Sequence, residues 1–446
     1  MTESDARNIK HLKDFFRLQK FWLRKSFDVI LVSIVLGAIC GLVMVVFNYL
    51  LSLFELSFSF LPFYIPPIIA GIATSLLVKF GKLNRIMGTG ASEFVEDINL
   101  LEVENFPIAE DKYGRFKNLI AKTLSTSWTF GSGMICGLEG PGLLIGGNLG
   151  YLLYKSDRFQ LERKDSFFIG ASACTGAILK APISGALFCA ELPYNNHIKY
   201  QSLIPSIIAS TVAYLIFSLF FGYTPFLELH QSLNPNDINY LYLLPITAIF
   251  GIIVGLIVLI FMGLLRGYKN TLSRYLNKKR IFWLLPFLGA VGYSIFLVIV
   301  LPFIDSDFHN IILHADSDFL TILVERFQTA DVSWYLILFF TLIFVIAIFL
   351  SIGTFNSAGI ILPLILLGTL LGGAFGFLVY PSNYELFIIL GISAVLGAAT
   401  NNPITAIFII IEMTWVPFLF IPAGITTIFA YIFSGPSSII PEQRYM

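Results

Sequence analysis

Gly176-Ala-Ile-Leu-Lys-Ala-Pro182-Ile-Ser-Gly-Ala-Leu-Phe-Cys-Ala-Glu191 and Gly397-Ala-Ala-Thr-Asn-Asn-Pro403-Ile-Thr-Ala-Ile-Phe-Ile-Ile-Ile-Glu412 are one pattern written twice, with Gly, Pro and Glu coinciding at an offset of 221 residues. Earlier in each half, Gly137-Leu-Glu-Gly-Pro141 aligns with Gly359-Ile-Ile-Leu-Pro363 at an offset of 222, and Gly146 and Gly150 fall on Gly368 and Gly372. Two elements recur in the same order, so the chain reads as a duplicated fold. Corresponding segments that are short and interrupted by Gly and Pro mark transporters, whose substrate sits near the bilayer midplane where helices break. Close helix packing alone would explain Gly146, Gly147 and Gly150. It does not explain a Pro at a helix-start position in both repeated elements.

The setting for these breaks is a membrane. Of the 446 residues, 57% are hydrophobic and 13% charged, and the mean hydropathy is +0.82, more apolar surface than a soluble fold of this size buries. Apolar runs long enough to cross a bilayer recur from Phe27–Phe54 through Val416–Phe433, with Leu203–Phe221, Leu243–Leu264, Trp283–Phe303 and Trp334–Leu350 among the clearest. Helices must dominate, because open sheet edges go unsatisfied in lipid. The fold class expected is therefore an all-α polytopic membrane protein. The first apolar run is too long for a signal peptide and is followed by no small-residue cleavage site, so it reads as a retained helix.

Net charge is +0, which suggests no nucleic-acid partner and leaves only local charge informative. Arg7, Lys10, Lys13, Arg17, Lys20, Arg24 and Lys25 precede the first span and place the N-terminus in the cytoplasm. Residues 1–26 read as a basic cytoplasmic helix, amphipathic from Ile9 to Trp22 and lying against lipid headgroups, with a disordered basic tail as the alternative. One membrane domain, 1–446, is expected, with a first repeat over about 27–221, a second over about 240–434 and a short end, 435–446, that leaves no room for a soluble C-terminal domain. Polar connections are expected at Glu93–Gly114, Asp157–Asp165, Asn234–Asn239, Tyr268–Lys279 and Asp305–Asp331. Cys40, Cys136, Cys174 and Cys189 lie in apolar segments without CxxC spacing and read as buried free thiols, with no metal site and no cofactor implied. His11, His197, His230, His309 and His314 read as ordinary loop positions. HExxH, GxSxG, P-loop and dinucleotide patterns are all missing, so nothing supports an enzyme.

In Cys136-Gly-Leu-Glu-Gly-Pro-Gly-Leu-Leu-Ile-Gly-Gly-Asn148 a carboxylate stands between glycines, just before a proline suited to a first helical turn. An ionised acid at membrane depth costs about 2.5–3.5 kcal/mol on insertion scales, which makes Glu139 a functional candidate. A helix N-terminus offsets part of that cost through unpaired N–H groups and about +0.5 of a charge. A site that can hold a carboxylate can hold an inorganic anion. Glu139 and a permeant ion would then compete, and the competition is a gate; a plain helix cap is the alternative. Gly359–Pro363 carries no acid at the equivalent position, so its amides stay open to an anion. Gly88-Thr-Gly-Ala-Ser92 is a third break, with a hydroxyl flanked by Gly88 and Gly90, which by itself fits a plain loop equally well.

Taken together, Gly137–Pro141 with Gly140 and the following Ile-Gly-Gly-Asn resembles the GxEGP motif of the CLC chloride channel and transporter family. Gly359–Pro363 resembles that family's GxFxP motif, and Gly88–Ser92 its GSGIP motif. The resemblance implies two inverted-topology repeats of short, tilted helices, a homodimer with one pore per subunit, chloride as the ion, protons as a second partner, and residence in a bacterial inner membrane. It also implies that Glu139 is the external gate, that Thr89 supplies the central hydroxyl and that Ile360 and Ile361 supply amides. Ala91 and Ser92 depart from the family's Ile-Pro. The family's central tyrosine falls in Gly435–Pro441, where Ile440 is the first match and Ser438 the second. The position of the internal proton-transfer glutamate is Leu192, which cannot carry a proton. Glu191 and Glu412, equivalent in the repeat, are expected to cap or brace helices. These departures favour channel-like or weakly coupled chloride permeation, with chloride/proton antiport at the same anion site as the alternative.

Overall fold

The structure is a computed structural model that describes residues 3–102, 112–154, 162–195, 197–227, 240–303 and 334–445. The expected connections Asn234–Asn239 and Asp305–Asp331, together with His230, His309 and His314, lie outside the described residues, as do the side chains of His11 and the basic residues Arg7–Lys25.

Helices account for nearly all of the described chain. The first half holds α1 (Glu3–Phe58), α2 (Ile65–Gly81), α3 (Ala91–Glu102), α4 (Lys112–Gly131), α5 (Glu139–Tyr154), α6 (Arg163–Ile178), α7 (Pro182–Glu191) and α8 (Tyr200–Phe221). The second holds α9 (Tyr240–Lys278), α10 (Leu285–Val300), α11 (Trp334–Ser351), α12 (Ile361–Val379), α13 (Tyr384–Thr400), α14 (Pro403–Thr414) and α15 (Phe420–Ser434). Seven of these stretches are long and apolar enough to cross a membrane. Others are short: α7 has 10 residues and α14 has 12, below the roughly 20 that a bilayer requires. A two-residue parallel pairing, Tyr194–Asn195 (β1) with Arg444–Tyr445 (β2), is the one sheet among the described residues.

Two expected connections are helical. Glu93–Glu102 forms most of α3, and Tyr268–Lys278 is the end of α9. Charge ends a membrane span but not a helix, because Lys, Arg, Leu and Glu all have good helix propensity in water.

The duplication is visible in the packing. In the first half α5 and α6 run antiparallel, with Gly142 against Ile178, Gly146 against Gly170 and Gly150 against Ser166; in the second, α12 and α13 repeat this with Gly368 against Gly391 and Gly372 against Phe387. A second repeated contact escaped the sequence reading. Gly37 and Gly41 of α1 lie on the backbone of Ala209 and Ala213 in α8, and Gly251 and Gly255 of α9 lie on Thr426 and Ala430 in α15. Both are small-xxx-small seams, the usual way for helices to approach closely where lipid gives no hydrophobic drive. The signal was present as Gly-x3-Gly in two long spans.

A Cβ at Gly255 would stand 2.5 Å from the Ala430 carbonyl oxygen, while one at Gly263 on the same helix would meet nothing within 4 Å. Gly255→Val should therefore lower the thermal unfolding midpoint of detergent-purified protein, by the equivalent of about 1–3 kcal/mol for overpacking, and Gly263→Val should leave it nearly unchanged.

Candidate functional site

Three interruptions in the helices meet in the interior. Gly88 and Gly90 adopt φ of 89° and 82°, a left-handed region open to glycine, and turn the chain into α3 at Ala91. Gly137 precedes α5, and Gly359 precedes α12. Pro141 and Pro363 each occupy the third residue of the helix that follows, inside the first turn as expected.

Backbone groups in these turns are satisfied by one another. Gly137 donates to the Gly359 carbonyl at 2.8 Å, and Gly359 donates to the Gly137 carbonyl at 2.8 Å. Equivalent residues of the two halves thus form an isolated antiparallel pair, the contact an inverted repeat makes at its own axis. Gly88 donates to Phe355 and accepts from Ala358, both at 3.3 Å, tying the first break to the third. Gly90 lies against Gly140, where a Cβ would come within 2.5 Å of the carbonyl oxygen, so the first and second breaks also touch.

Glu139 opens α5 and is 1% exposed. Its Oε2 accepts from the Leu362 N–H at 3.4 Å, so a carboxylate of the first half rests on the first turn of α12 in the second. Ile360 and Ile361 flank that turn and are buried, as are Thr89 and Ile440. The first N–H groups of a helix have no intrahelical partner, so α12 offers its amides to whatever lies at its end.

Lys122 was not singled out in the sequence. It lies mid-way along α4, is fully buried, and donates to the carbonyls of Ile86 at 3.0 Å and Gly88 at 2.8 Å. It holds the Gly88 turn from behind and brings a positive charge there, with Glu93 as an electrostatic neighbour. The one available signal was a lysine inside the otherwise uncharged run Asn118–Leu138. A second set of donors stabilises the facing turn, where Ser125 donates to Ser357 Oγ at 2.7 Å and Thr126 lies 3.1 Å from the same atom.

The segment after α15 turns back into the protein. Ile439 donates to Ala399 at 2.8 Å, and Gln443 Nε2 donates to the carbonyls of both Leu192 and Thr400 at 2.8 Å. Arg444 donates to Asn99, and Arg266 to the Ser438 carbonyl. Ile440 is thus held in place by elements of both halves, with its N–H on Ser438 Oγ at 3.2 Å. Leu192 is fully buried at the end of α7, with its backbone, not its side chain, engaged in this network.

Glu191 and Glu412 do brace helices, and they do so reciprocally. Glu191, the last residue of α7, accepts from Thr405 N at 2.9 Å and Thr405 Oγ1 at 2.6 Å in the first turn of α14. Glu412, near the end of α14, accepts from Ile183 N at 3.0 Å, Ser184 N at 2.7 Å and Ser184 Oγ at 2.5 Å in the first turn of α7. Neither helix start has a cap from its own preceding residue, so each borrows the acid from its counterpart.

The voltage gated chloride channel family pattern matches residues 100–435, which include the second and third breaks but not Thr89 or Ile440. The H(+)/Cl(-) exchange transporter ClcA of Salmonella arizonae is 30% identical over 313 residues, covering 66% of this chain and 61% of that protein. Its counterpart from Salmonella paratyphi B is 30% identical over 312 residues, with the same coverage of 66% and 61%. The match thus spans 61% of the length of these curated relatives. A slow cyanobacterial Cl−/H+ antiporter superimposes with a TM-score of 0.73 at 18% identity, over 93% of this chain and 96% of that one. A CLC-type fluoride/proton antiporter superimposes with a TM-score of 0.73 at 22% identity, over 94% of this chain and 98% of that one. At these identities the two structures bear on the fold.

Glu412→Ala would orphan the donors of Ile183 and Ser184. It should destabilise the purified protein by about 1–3 kcal/mol, read as a lower unfolding midpoint, and Glu412→Gln should recover part of the loss by keeping an acceptor oxygen.

Proposed function

Because the chain belongs to the voltage gated chloride channel family, we propose that it is an integral membrane exchanger that moves chloride in one direction and protons in the other through a pathway gated by Glu139. The observation that carries this reading is the Glu139 carboxylate resting on the Leu362 amide. A carboxylate and an anion compete for the same donors. An anion that displaces Glu139 frees a carboxylate to take a proton, and a protonated Glu139 no longer competes for the amides. One acid therefore makes occupancy by anion and uptake of proton depend on each other.

Chloride in this reading is held by the Thr89 hydroxyl and the amides of Ile360 and Ile361, with Ile440 forming the apolar inner end of the site. The N-termini of α3, α5 and α12 make the region favourable for an anion before any ligand arrives. The protein works as a homodimer with one such pathway per subunit, in a bacterial inner membrane, with the basic N-terminal helix on the cytoplasmic side.

Exchange is favoured over channel-like permeation because the 30% identical relative is named as an H(+)/Cl(-) exchange transporter. Leu192 is the observation on the other side: a fully buried leucine offers no proton acceptor at the inner end of α7. Permeation without proton movement is therefore the second reading.

Proteoliposomes decide between the two. With chloride gradients fixed, the reversal potential of an exchanger shifts with an imposed pH gradient; a value pinned to the chloride equilibrium potential at every pH supports the channel instead. Lowering the external pH should raise anion flux by neutralising Glu139. In Glu139→Ala the flux should persist, lose that pH dependence and carry no protons; abolished flux would sink the gating role.

A further inference from the structure

Residues 132–138 join α4 to α5 and belong to neither helix. Inside a membrane their peptide groups need partners from the protein. The second half supplies them at every other residue. The Gly133 carbonyl accepts from the Tyr293 hydroxyl at 3.1 Å, and the Ile135 N–H donates to the same hydroxyl oxygen at 3.3 Å. The Ile135 carbonyl accepts from the Ser351 hydroxyl, and Gly137 is paired with Gly359 through both its N–H and its carbonyl. A phenol is both donor and acceptor, so the one hydroxyl of Tyr293 serves two peptides at once.

Packing places these two side chains. Tyr293 lies mid-way along α10 and is fully buried, and Gly289 on the same helix lies against Thr354, close behind Ser351. Ser351 is the last residue of α11, and its carbonyl accepts from Asn356 Nδ2 at 3.1 Å and Thr354 Oγ1 at 3.0 Å. The chain that leads to Gly359 and the chain that leads to Gly137 are therefore tied together through Ser351.

What rests on the tie is Glu139. A Cβ at Gly137 would overlap Glu139 Oε2 and come 3.0 Å from the Leu362 nitrogen, so the carboxylate lies in the slot between Gly137 and the α12 amide. Its bond to Leu362 is 3.4 Å long, past the usual range of about 2.7–3.2 Å for N–H···O. A contact at that limit is lost on a small shift of either partner. The placement of residues 133–137 thus decides whether the carboxylate reaches the amide.

We propose that Tyr293 and Ser351 are positioning residues for the gate: they fix the 133–137 arm under Glu139 and so set how strongly its carboxylate competes with the anion. The inference rests on the gating reading above. Tyr293 does not itself titrate where a carboxylate does, since a phenol ordinarily holds its proton to about pH 10. Cys136 is the titratable neighbour of both Glu139 and Tyr293, and Lys122 of α4 also bears on Cys136. The hydrogen-bond donors that face the Glu139 carboxylate are backbone N–H groups, its own and those of Leu362 and Leu138.

Chloride flux in proteoliposomes, followed against the pH on the Glu139 side, tests it. Tyr293→Phe keeps the buried ring and removes only the hydroxyl. Flux at alkaline pH, where a charged Glu139 opposes the anion, should rise several-fold while flux at acid pH stays near that of the wild type, so the profile flattens. Ser351→Ala frees the Ile135 carbonyl and should flatten it too. Added to Glu139→Ala, Tyr293→Phe should leave the flux as Glu139→Ala alone gives it, because no carboxylate remains to be positioned. A wild-type profile in either folded variant overturns the proposal. So does an equal change of flux with and without Glu139, which would put the effect of the hydroxyl on the pathway itself. If Tyr293→Phe elutes as aggregate, Ser351→Ala decides by the same criteria. Persistence of the pH dependence in Glu139→Ala overturns the gating reading and this inference with it, whereas a pH-insensitive Glu139→Ala beside unaffected Tyr293→Phe and Ser351→Ala overturns only the inference.

Discussion

Every peptide group that leaves helical geometry inside a membrane must find its partner in protein, and this requirement organises the molecule around the Gly137–Gly359 pair. Each glycine donates to and accepts from the other at 2.8 Å. The pairing needs two backbones in contact, and a Cβ on Gly359 would fall 2.6 Å from the Gly137 carbonyl oxygen. Neither half can satisfy its own turn. Two inverted copies can, because the group one copy leaves open is the one the other supplies. The same logic recurs at α7 and α14, where each helix end provides the acid that the other's start lacks. Interruption of helices is costly for a single copy and cheap for a pair.

Much of this was legible in the sequence because Gly, Pro and Glu punctuate the backbone in ways that survive divergence. Gly137, Gly359, Pro182, Pro403, Glu191 and Glu412 were visible as a repeat, and the structure pairs Gly137 with Gly359 and rests each acid on the helix turn that the other copy's proline opens. What stayed hidden had a different physical origin. Hydropathy marks where lipid ends, not where a helix ends, so Glu93–Glu102 and Tyr268–Lys278 read as connections although both are helical. The Gly37/Gly41 and Gly251/Gly255 seams lie within uniformly apolar spans, where neither periodicity nor charge singles them out. Lys122 was passed over because a lone lysine within a helix reads as surface; its two carbonyl partners come from a turn 34 and 36 residues away in sequence.

Around the convergence of turns, helix ends and charges of both signs gather, with Lys122 and Glu93 as electrostatic neighbours at the Gly88 turn. Helix N-termini at α3, α5 and α12 direct partial positive charge inward. Lys122 adds a full charge behind the Gly88 turn, and Glu139 is the carboxylate that rests on α12 at the centre of the arrangement. A region so built suits the Glu139 carboxylate, and in the reading proposed above a permeant anion would compete with it for the same donors. In that reading Thr89 would act through its side-chain hydroxyl, while Ile360 and Ile361 would act through backbone amides that do not depend on their side chains.

The duplication also explains where function departs from symmetry. Position 139 in the first copy is an acid, and its equivalent, Ile361, is apolar; a carboxylate on both sides would place two like charges on one set of amides. Glu191 and Glu412 are equivalent as braces, yet Glu191 also faces a cavity that carries His197. The shared frame fixes the geometry, and single substitutions within one copy supply the chemistry. Leu192 fits that pattern: its side chain is packed into the core while its carbonyl helps to anchor Gln443.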